Sequence, residues 1–420
     1  MPREEGCRIL IAGAGPAGIA AACTAAESCD SVVVLDDNPA PGGQIWRGED
    51  NRWTARLRGS DARVLNATRA IAPLGDGRLL AERNGEAVLL RYEKLILATG
   101  ARELFLPFPG WTLPGVTGAG GLQALAQGGL PIAGKRVVVA GSGPLLLAVA
   151  AHLREQGAEI GAIAEQAPLA GMARFAMQLW RAPGKIAQAA ALEWALRGVP
   201  RFNDSWPIAA HGEAQVQGVL LRTPRGERMF ECDYLACGFG LIPNVELAAL
   251  AGCELRAGLV AVDEWQQTTV RDVFCAGEPT GIGGVDRSVV EGRIAGYAAA
   301  DQRDKADRLL ATRRRMHAFS AAMARCFALR DELRHLARPD TIVCRCEDVS
   351  LEQCAGHATA RGARLHERCG MGACQGRVCG PALEFVLGRK DRSGHPRPPV
   401  FPATMATLAA AHEEAPTAHV

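Results

Sequence analysis

Two groups of residues in this sequence have the types and spacings to do chemistry. The first is Gly13-Ala14-Gly15-Pro16-Ala17-Gly18, set between an apolar run, Cys7-Arg8-Ile9-Leu10-Ile11-Ala12, and an alanine-rich stretch. A second apolar run, Val32-Val33-Val34-Leu35, follows and ends on Asp36 and Asp37. Strand, G-x-G-x-x-G turn, helix, strand and acid, in that order, is the unit that holds a dinucleotide. Gly13 permits the tight turn, Gly15 lets backbone approach a pyrophosphate, and Gly18 lets the helix pack close to the strand. The helix start receives the phosphate charge. An acid about 20 residues on accepts hydrogen bonds from the ribose hydroxyls; Asp36 is best placed, with Asp37 as the alternate.

The second group is Cys344-Arg345-Cys346, followed after 27 intervening residues by Cys374 and then Cys379. The later pair lies inside Gly370-Met371-Gly372-Ala373-Cys374-Gln375-Gly376-Arg377-Val378-Cys379. Cys369 is a fifth candidate, while the remaining cysteines are scattered and read as small apolar residues. Four thiolates suit a 2Fe–2S cluster. The glycines let backbone N–H groups point at the sulfurs, and Arg345 and Arg377 offset negative charge; both raise a reduction potential. Structural zinc is the alternative. Its sites pair cysteines with two to four residues between them, and Cys344-x-Cys346 is tighter than that, which favours iron–sulfur; the Cys374–Cys379 spacing, wider than a simple C-x-x-C, makes Cys379 the least determined of the four.

A second strand–turn–helix unit begins at Arg136, with Val137-Val138-Val139-Ala140 leading into Gly141-Ser142-Gly143-Pro144-Leu145-Leu146-Leu147. A strand at Ile160-Gly161-Ala162-Ile163-Ala164 follows and ends on Glu165. Leu146 occupies the third glycine position. Two readings stay open: an adenine-nucleotide site (ATP or NAD) built from Gly141, Ser142, Gly143, Pro144, Leu145 and Glu165, or a scaffold whose site is closed.

Other stretches supply the frame. Pro39-Ala40-Pro41-Gly42-Gly43-Gln44-Ile45-Trp46-Arg47 makes a rigid loop in which Gln44 and Trp46 exceed what a plain turn needs. A hairpin turn is expected at Asn84-Gly85-Glu86. The strand Lys94-Leu95-Ile96-Leu97-Ala98 runs into Thr99-Gly100, and strands are expected around 216–221 and 229–237. Arg271-Asp272-Val273-Phe274-Cys275-Ala276-Gly277-Glu278 reads as a strand ending in glycine plus acid, before Gly281-Ile282-Gly283-Gly284 and a helix from about Asp286 to Asp301. Glu278 is placed to hydrogen-bond a ribityl hydroxyl, and the helix start at Gly284 and Val285 to stabilise negative charge on a flavin pyrimidine. One more strand–loop–helix step is the plain alternative. Residues 166–205 read as an amphipathic helical insertion carrying Met172, Phe175, Met177, Leu179, Trp180, Ile186, Leu192, Trp194 and Leu196. Core packing is the ordinary reading of such a stripe and a partner-facing surface the other. Residues 302–338, with Arg313-Arg314-Arg315, read as a solvated helical connector, with a phosphate-binding basic patch as the alternative.

A length of 420 residues predicts about three domains. A net charge of +2 and an aromatic content of 5% argue against nucleic acid as a partner. The N-terminus carries acids where a signal peptide has basic charge, and the apolar run 137–151 is too short to span a bilayer. A cytoplasmic protein with reduced cysteines is expected.

The first unit, the Ala98-Thr99-Gly100 strand end and Ala276-Gly277-Glu278 resemble the two-dinucleotide-domain flavoprotein reductases, whose first domain holds FAD. Most members have Gly-Asp where this chain has Gly277-Glu278. More narrowly, Pro41-Gly42-Gly43-Gln44-Ile45, Gly141-Ser142-Gly143-Pro144-Leu145-Leu146-Leu147, Arg345-Cys346 and the segment from Gly370 to Cys379 resemble the FAD-containing α or A subunits of heteromeric amine dehydrogenases. That group includes opine oxidases, hydroxyproline and proline dehydrogenases, hydrogen cyanide synthase and part of sarcosine oxidase. The C-terminal module is similar to the bacterioferritin-associated ferredoxin type of 2Fe–2S domain. The resemblance implies FAD held by Gly13, Gly15, Pro16, Ala17, Gly18, Asp36, Asp37, Gly43, Gln44, Trp46, Arg47, Thr99, Gly100, Gly277, Glu278, Gly284 and Val285. It implies a cluster on Cys344, Cys346, Cys374 and Cys379. It also implies a catalytic flavoprotein β subunit that oxidises the C–N bond of an opine, proline, hydroxyproline, glycine or sarcosine substrate. A quinone or carrier-protein acceptor, a small third subunit and peripheral attachment to the inner membrane complete that picture.

The expected architecture is α/β, with two Rossmann-like domains of the disulfide-reductase type and a small helical iron–sulfur module. Its parts are an FAD domain at 1–112 and 255–302, a second nucleotide-binding-like domain at 113–254, a connector at 303–340, the 2Fe–2S domain at 341–390 and a tail at 391–420. No general-base constellation is found, since the histidines fall singly. The competing reading is a self-contained NAD(P)H-dependent reductase that feeds the cluster. Leu146 and Ala148 stand where active reductases keep a glycine and an acid, which counts against it. A non-catalytic iron-handling protein is the third reading, set aside by the complete first fingerprint.

Overall fold

The structure is a computed structural model that describes residues 3–178, 183–388 and 396–410. Leu179 and Trp180 of the expected insertion lie outside these, as do 389–395 and 411–420. The chain forms two compact units: 1–102 with 243–320 and 395–420, and 103–242 with 321–394.

The first unit is built on a seven-stranded sheet. Its centre is the strand Arg3–Ala12, parallel to Val32–Leu35 on one side and to Glu86–Leu97 on the other. Val273–Cys275 adds in parallel to the end of Glu86–Leu97, whose earlier part begins an antiparallel meander with Arg78–Arg83 and Thr68–Gly75. The meander's expected hairpin is present: Arg83 pairs with Glu86, and Asn84 and Gly85 take positive φ values of 53° and 81°, as a two-residue turn of the twisted kind requires. The central strand is followed by the helix Pro16–Ala25, in which Ala17 through Ala25 are all buried. That helix can be so small-sided because a second helix, Gly284–Ala299, lies backbone to backbone against it. A Cβ at Gly292 would come within 2.1 Å of the Ala17 carbonyl oxygen, and one at Gly296 within 2.3 Å of the Ala21 oxygen.

The second unit contains a five-stranded parallel sheet in the order Arg201–Asn203, Glu159–Glu165, Arg136–Gly141, Tyr234–Gly238, Val116–Gly118. A three-stranded antiparallel sheet runs through Trp206–His211, Gly218–Thr223 and Gly226–Glu231. The single strand expected over 229–237 is therefore two strands in two sheets, broken at Cys232 and Asp233. The expected insertion is the crossover between neighbouring parallel strands, made of helices Leu169–Gln178 and Pro183–Ala195 and closed by Arg201–Asn203. Its apolar stripe is only partly core: Phe175 and Leu196 are buried, but Met177, Ile186 and Trp194 are exposed.

The cysteine-bearing region belongs to this second unit. It opens on a short antiparallel pair, Ile342–Cys344 with Val349–Ser350, and continues through helices Leu351–Ala355, Ala360–Glu367 and Cys379–Leu387. Its small core joins Val343, Val349, Ala363 and Leu383 to four of the cysteines, Cys344, Cys354, Cys369 and Cys379. The expected connector is one helix, Arg303–Cys326, followed by a short 3-10 turn at Asp331–His335. The described part of the expected tail is not loose chain. The Val400 N–H donates to the Ile71 carbonyl and the Thr404 N–H to Glu82, both in the first unit. Among the described residues no helix is long and apolar enough to cross a membrane.

Candidate functional site

In the first unit the chain leaves the central strand at Gly13, whose φ of +107° and approach to the Ala98 carbonyl exclude a side chain: a Cβ would lie 2.3 Å from that oxygen. A Cβ at Gly18 would lie 1.8 Å from the Gly13 oxygen. At Gly15, by contrast, an added Cβ meets nothing within 4 Å. The turn is thus pinned on both sides and open in the middle, which is the shape a pyrophosphate needs.

Asp36 is buried at the end of its strand. Its carboxylate accepts from the Ala14 N–H and from the backbone and side-chain N–H groups of Asn38, the latter two at 2.8 and 2.7 Å. Arg47 donates to the Asn38 side-chain oxygen at 2.7 Å, so loop, acid and turn form one network. The Gly42 N–H donates to the Ala14 carbonyl, and Gly43 lies against Gly15. Trp46 packs against the helix core, while Gln44 is exposed. Asp37 points away to Arg69 at 3.6 Å.

The Thr99 hydroxyl donates to the Asn244 carbonyl at 2.6 Å, and the Asn244 side chain donates back to the Thr99 carbonyl at 2.9 Å. Gly277 lies two residues past the strand Val273–Cys275 and approaches Ala17 of the helix Pro16–Ala25. Glu278 does not reach outward. Its carboxylate accepts from the Gly283 and Gly284 N–H groups at 3.1 and 2.9 Å, and burial pushes it up from its ordinary pKa. It thus rests on the same helix start that is expected to meet a flavin pyrimidine at Gly284 and Val285.

Beneath that loop lies a group that the sequence pattern does not announce. Glu291, fully buried, accepts from the Gly277 N–H, the Thr280 hydroxyl and Arg287 at 2.9, 2.7 and 2.7 Å, and His317 lies 2.7 Å away. Burial alone would raise Glu291, but the His317 and Arg287 contacts outweigh it and hold the carboxyl below its usual range. Its one sequence signal is an i, i+4 Arg–Glu pair on an otherwise small-sided helix. Asn38 and Asn244 carry none.

In the second unit the equivalent turn is occupied by the chain itself. The Ser142 hydroxyl donates to the Phe327 carbonyl at 2.9 Å, and the Gln166 amide donates to Ser142 and to the Ala328 carbonyl. The Phe327 ring lies 4.0 Å from where a Gly143 Cβ would be, held edge-on by Phe175. Glu165 accepts from the Gly143 and Ala167 N–H groups at 2.6 and 2.8 Å, and burial pushes its carboxyl up to about 7. Leu146 is buried against Gly238, and Pro144 and Leu145 begin the helix. Of the two open readings, this arrangement matches the closed scaffold.

The cysteines come together in two groups. Cys344, Cys369 and Cys379 have their sulfurs within 4.8 Å of one another, all buried. The Gly370 N–H donates to the Cys344 sulfur at 3.4 Å. Cys346, exposed, contacts Cys374, half-buried. Burial would raise Cys374, but N–H groups of Val378, Gly376 and Arg377 and the Cys346 thiol outweigh it and hold the thiol below its usual range. The four expected ligands therefore form two contacting pairs, Cys344 with Cys379 and Cys346 with Cys374. Sulfurs already receiving backbone N–H bonds suit an iron–sulfur donor set.

A seven-stranded sheet with an open glycine turn, and a second sheet of the same design, define a flavoprotein oxidoreductase with two dinucleotide-type domains. The chain belongs to the pyridine nucleotide-disulphide oxidoreductase family, which it matches over residues 7–302. FAD is the cofactor this family implies, and the open turn at Gly15 fits it. The chain is similar to the opine oxidase A subunit of Rhizobium meliloti (strain 1021), at 33% identity over 89% of this chain and 90% of that one. It is similar to hydrogen cyanide synthase subunit HcnB of Pseudomonas aeruginosa, at 31% identity over 94% and 97%. Among solved structures, L-proline dehydrogenase from P. horikoshii aligns over 97% of this chain and 80% of its own, with a TM-score of 0.69 at 18% identity. Thioredoxin reductase of T. acidophilum aligns over 70% and 98%, with a TM-score of 0.54 at 22% identity. These two likenesses concern the fold.

Proposed function

We propose that this chain is the FAD- and 2Fe–2S-containing electron-transfer subunit of a heteromeric amine or amino-acid dehydrogenase. The substrate is of the opine, proline, hydroxyproline, glycine or sarcosine class, and its C–N bond is oxidised on a partner flavoprotein subunit. The observation that carries this reading is the contrast between the two glycine turns. The first is open at Gly15, while the second is covered by Phe327 and its neighbours, leaving a nicotinamide donor no turn to rest on. That supports a partner protein as the source of electrons. The relatives named as subunits of opine oxidase and hydrogen cyanide synthase support the same reading.

FAD, when bound, accepts electrons in pairs and can release them singly. The chain's own part is to seat it. The first turn and the helix start take the pyrophosphate, Asp36 takes the ribose, and Gly277 to Val285 border the ring end. The Cys344/Cys379 and Cys346/Cys374 pairs would supply the four thiolates of a 2Fe–2S centre, which would pass electrons one at a time. Arg345 and Arg377 beside them offset its charge. The acceptor is a quinone or carrier protein, and a small third subunit completes the complex. Fourteen cysteines, none of them in a disulfide, suit a cytoplasmic complex, peripheral to the inner membrane.

The test is anaerobic. Flavin absorbance is followed after mixing the purified chain, with and without its co-expressed neighbour, with NADH, NADPH or the candidate amines. Bleaching by an amine only when the partner is present is expected; rapid bleaching by NAD(P)H alone would make the chain a self-contained reductase. Cys374→Ser is expected to lose iron and acid-labile sulfide together while FAD stays bound, as measured by metal analysis and the flavin spectrum. Zinc without sulfide in the unmutated chain would overturn the cluster.

A further inference from the structure

Two cysteines of the same region have no place in that scheme. Cys354, on the helix Leu351–Ala355, and Cys369, just past the helix Ala360–Glu367, are both buried. Their thiols are hydrogen-bonded to each other, and Cys369 also contacts Cys379. With the Cys344–Cys379 contact, this gives a continuous chain of four buried thiols, 344–379–369–354. Cys354, Cys369 and Cys379 line a cavity of about 50 Å³, walled by Ala363 and Leu383. That is the room of one or two water molecules. It suits a single ion.

We propose that Cys344, Cys354, Cys369 and Cys379 form a second, overlapping ligand set that takes one soft metal ion, with Zn²⁺ as the probe. Four thiolates in a closed, buried site are a structural zinc donor set, with Zn–S distances near 2.3 Å. Tetrahedral geometry at that length puts neighbouring sulfurs about 3.8 Å apart. Cys344, Cys369 and Cys379 already lie within 4.8 Å of one another, so these three need close by only about 1 Å or less, and Cys354, hydrogen-bonded to Cys369, swings in as the fourth. Binding is not a redox step: Zn²⁺ replaces the protons of four thiols, which are released to solvent. The Gly370 N–H on Cys344 helps carry the resulting negative charge. Because Cys344 and Cys379 belong to both sets, the single ion and the two-iron cluster exclude each other. The inference stands on the cysteine geometry and does not need the iron–sulfur assignment.

The test uses the full-length chain with FAD bound, prepared metal-free under reducing anaerobic conditions and titrated with Zn²⁺ against a chromophoric chelator. The double variant Cys354→Ser/Cys369→Ser is expected to weaken Zn²⁺ by more than about a hundredfold, while keeping iron and sulfide after reconstitution. Cys346→Ser/Cys374→Ser is expected to do the reverse, losing iron and sulfide with zinc affinity unchanged. Unchanged zinc affinity in the first variant, or its loss in the second, would overturn the proposal. Co²⁺ added to the unmutated chain checks the site without any substitution. A tetrahedral four-thiolate spectrum supports the set, and an octahedral one overturns it. Were the iron–sulfur reading alone at fault, no variant would contain sulfide, yet the zinc contrast between the two doubles would remain.

Discussion

In the first unit the turn from Gly13 to Gly18 leads into a helix with Ala17 through Ala25 all buried; in the second, the turn from Gly141 to Leu146 leads into a helix that buries only Leu146, Val149, Ala150 and Leu153. Both units place an acid at the end of the next strand, and both acids bond a turn N–H: Asp36 to Ala14, and Glu165, one methylene longer, to Gly143. What separates them is the third glycine position and what lies over the turn. With glycine at 18 the helix can seat its own backbone on Gly13. With leucine at 146 the side chain fills that space, and residues 327–330 of the same unit cover the rest. A shared plan thus gives one open turn and one covered turn.

Exchanging the distinguishing residue should break this contrast most severely. Gly18→Leu would drive its Cβ to within 1.8 Å of the Gly13 oxygen, which no side-chain shift relieves. We expect more than about 4 kcal/mol of destabilisation and loss of FAD, read by thermal melting and flavin content. If the variant melts like the unmutated chain and keeps its flavin, the close approach is not what makes the first site.

The acid of the covered turn should respond to pH. Glu165 is raised by burial from 4.5 to about 7 in the folded chain. The folded state therefore holds a proton that the unfolded state has lost between those values. Stability from this group is full below about 4.5 and falls as pH rises through 7, by about 3 kcal/mol in total. Denaturant titrations at pH 5 and pH 8 should show that fall, and Glu165→Gln should remove it. An identical pH dependence in the variant would mean the carboxyl titrates normally.

A smaller effect sharpens the packing side of the comparison. Gly292→Ala presses a methyl onto the Ala17 carbonyl and should cost about 1–3 kcal/mol in the melting curve. Gly184→Ala, where nothing lies within 4 Å, serves as its harmless counterpart. Equal melting temperatures for the two would argue that the helix pair is loosely packed.

The first site is legible in the sequence because its parts are local and ordered: strand, turn, helix, strand, acid, within about thirty residues. The hairpin at Asn84-Gly85 is legible for the same reason. The cover of the second turn is not, because the Phe327 carbonyl lies 185 positions from Ser142 and any residue can offer one. Glu291 escapes notice because burial, not spacing, gives it its role. The apolar stripe at Met177, Ile186 and Trp194 follows a helical period that promises core, but the period does not say whether another surface arrives to bury it. Cys354 looks incidental in sequence, and Cys369 is no more than a fifth candidate there, because their meeting depends on how two short helices turn back on each other.

Val400 closes part of the first unit's core, 4% exposed, although the cysteine region that precedes it belongs to the second. The cysteine-bearing segment is therefore a detour taken before the chain goes home, not an appendix. Cutting the protein after residue 388 would not merely remove the chain's end; it would unseal the core of the first unit from behind. A clean dissection has to excise the cysteine region from within and splice residues 396–410 back on.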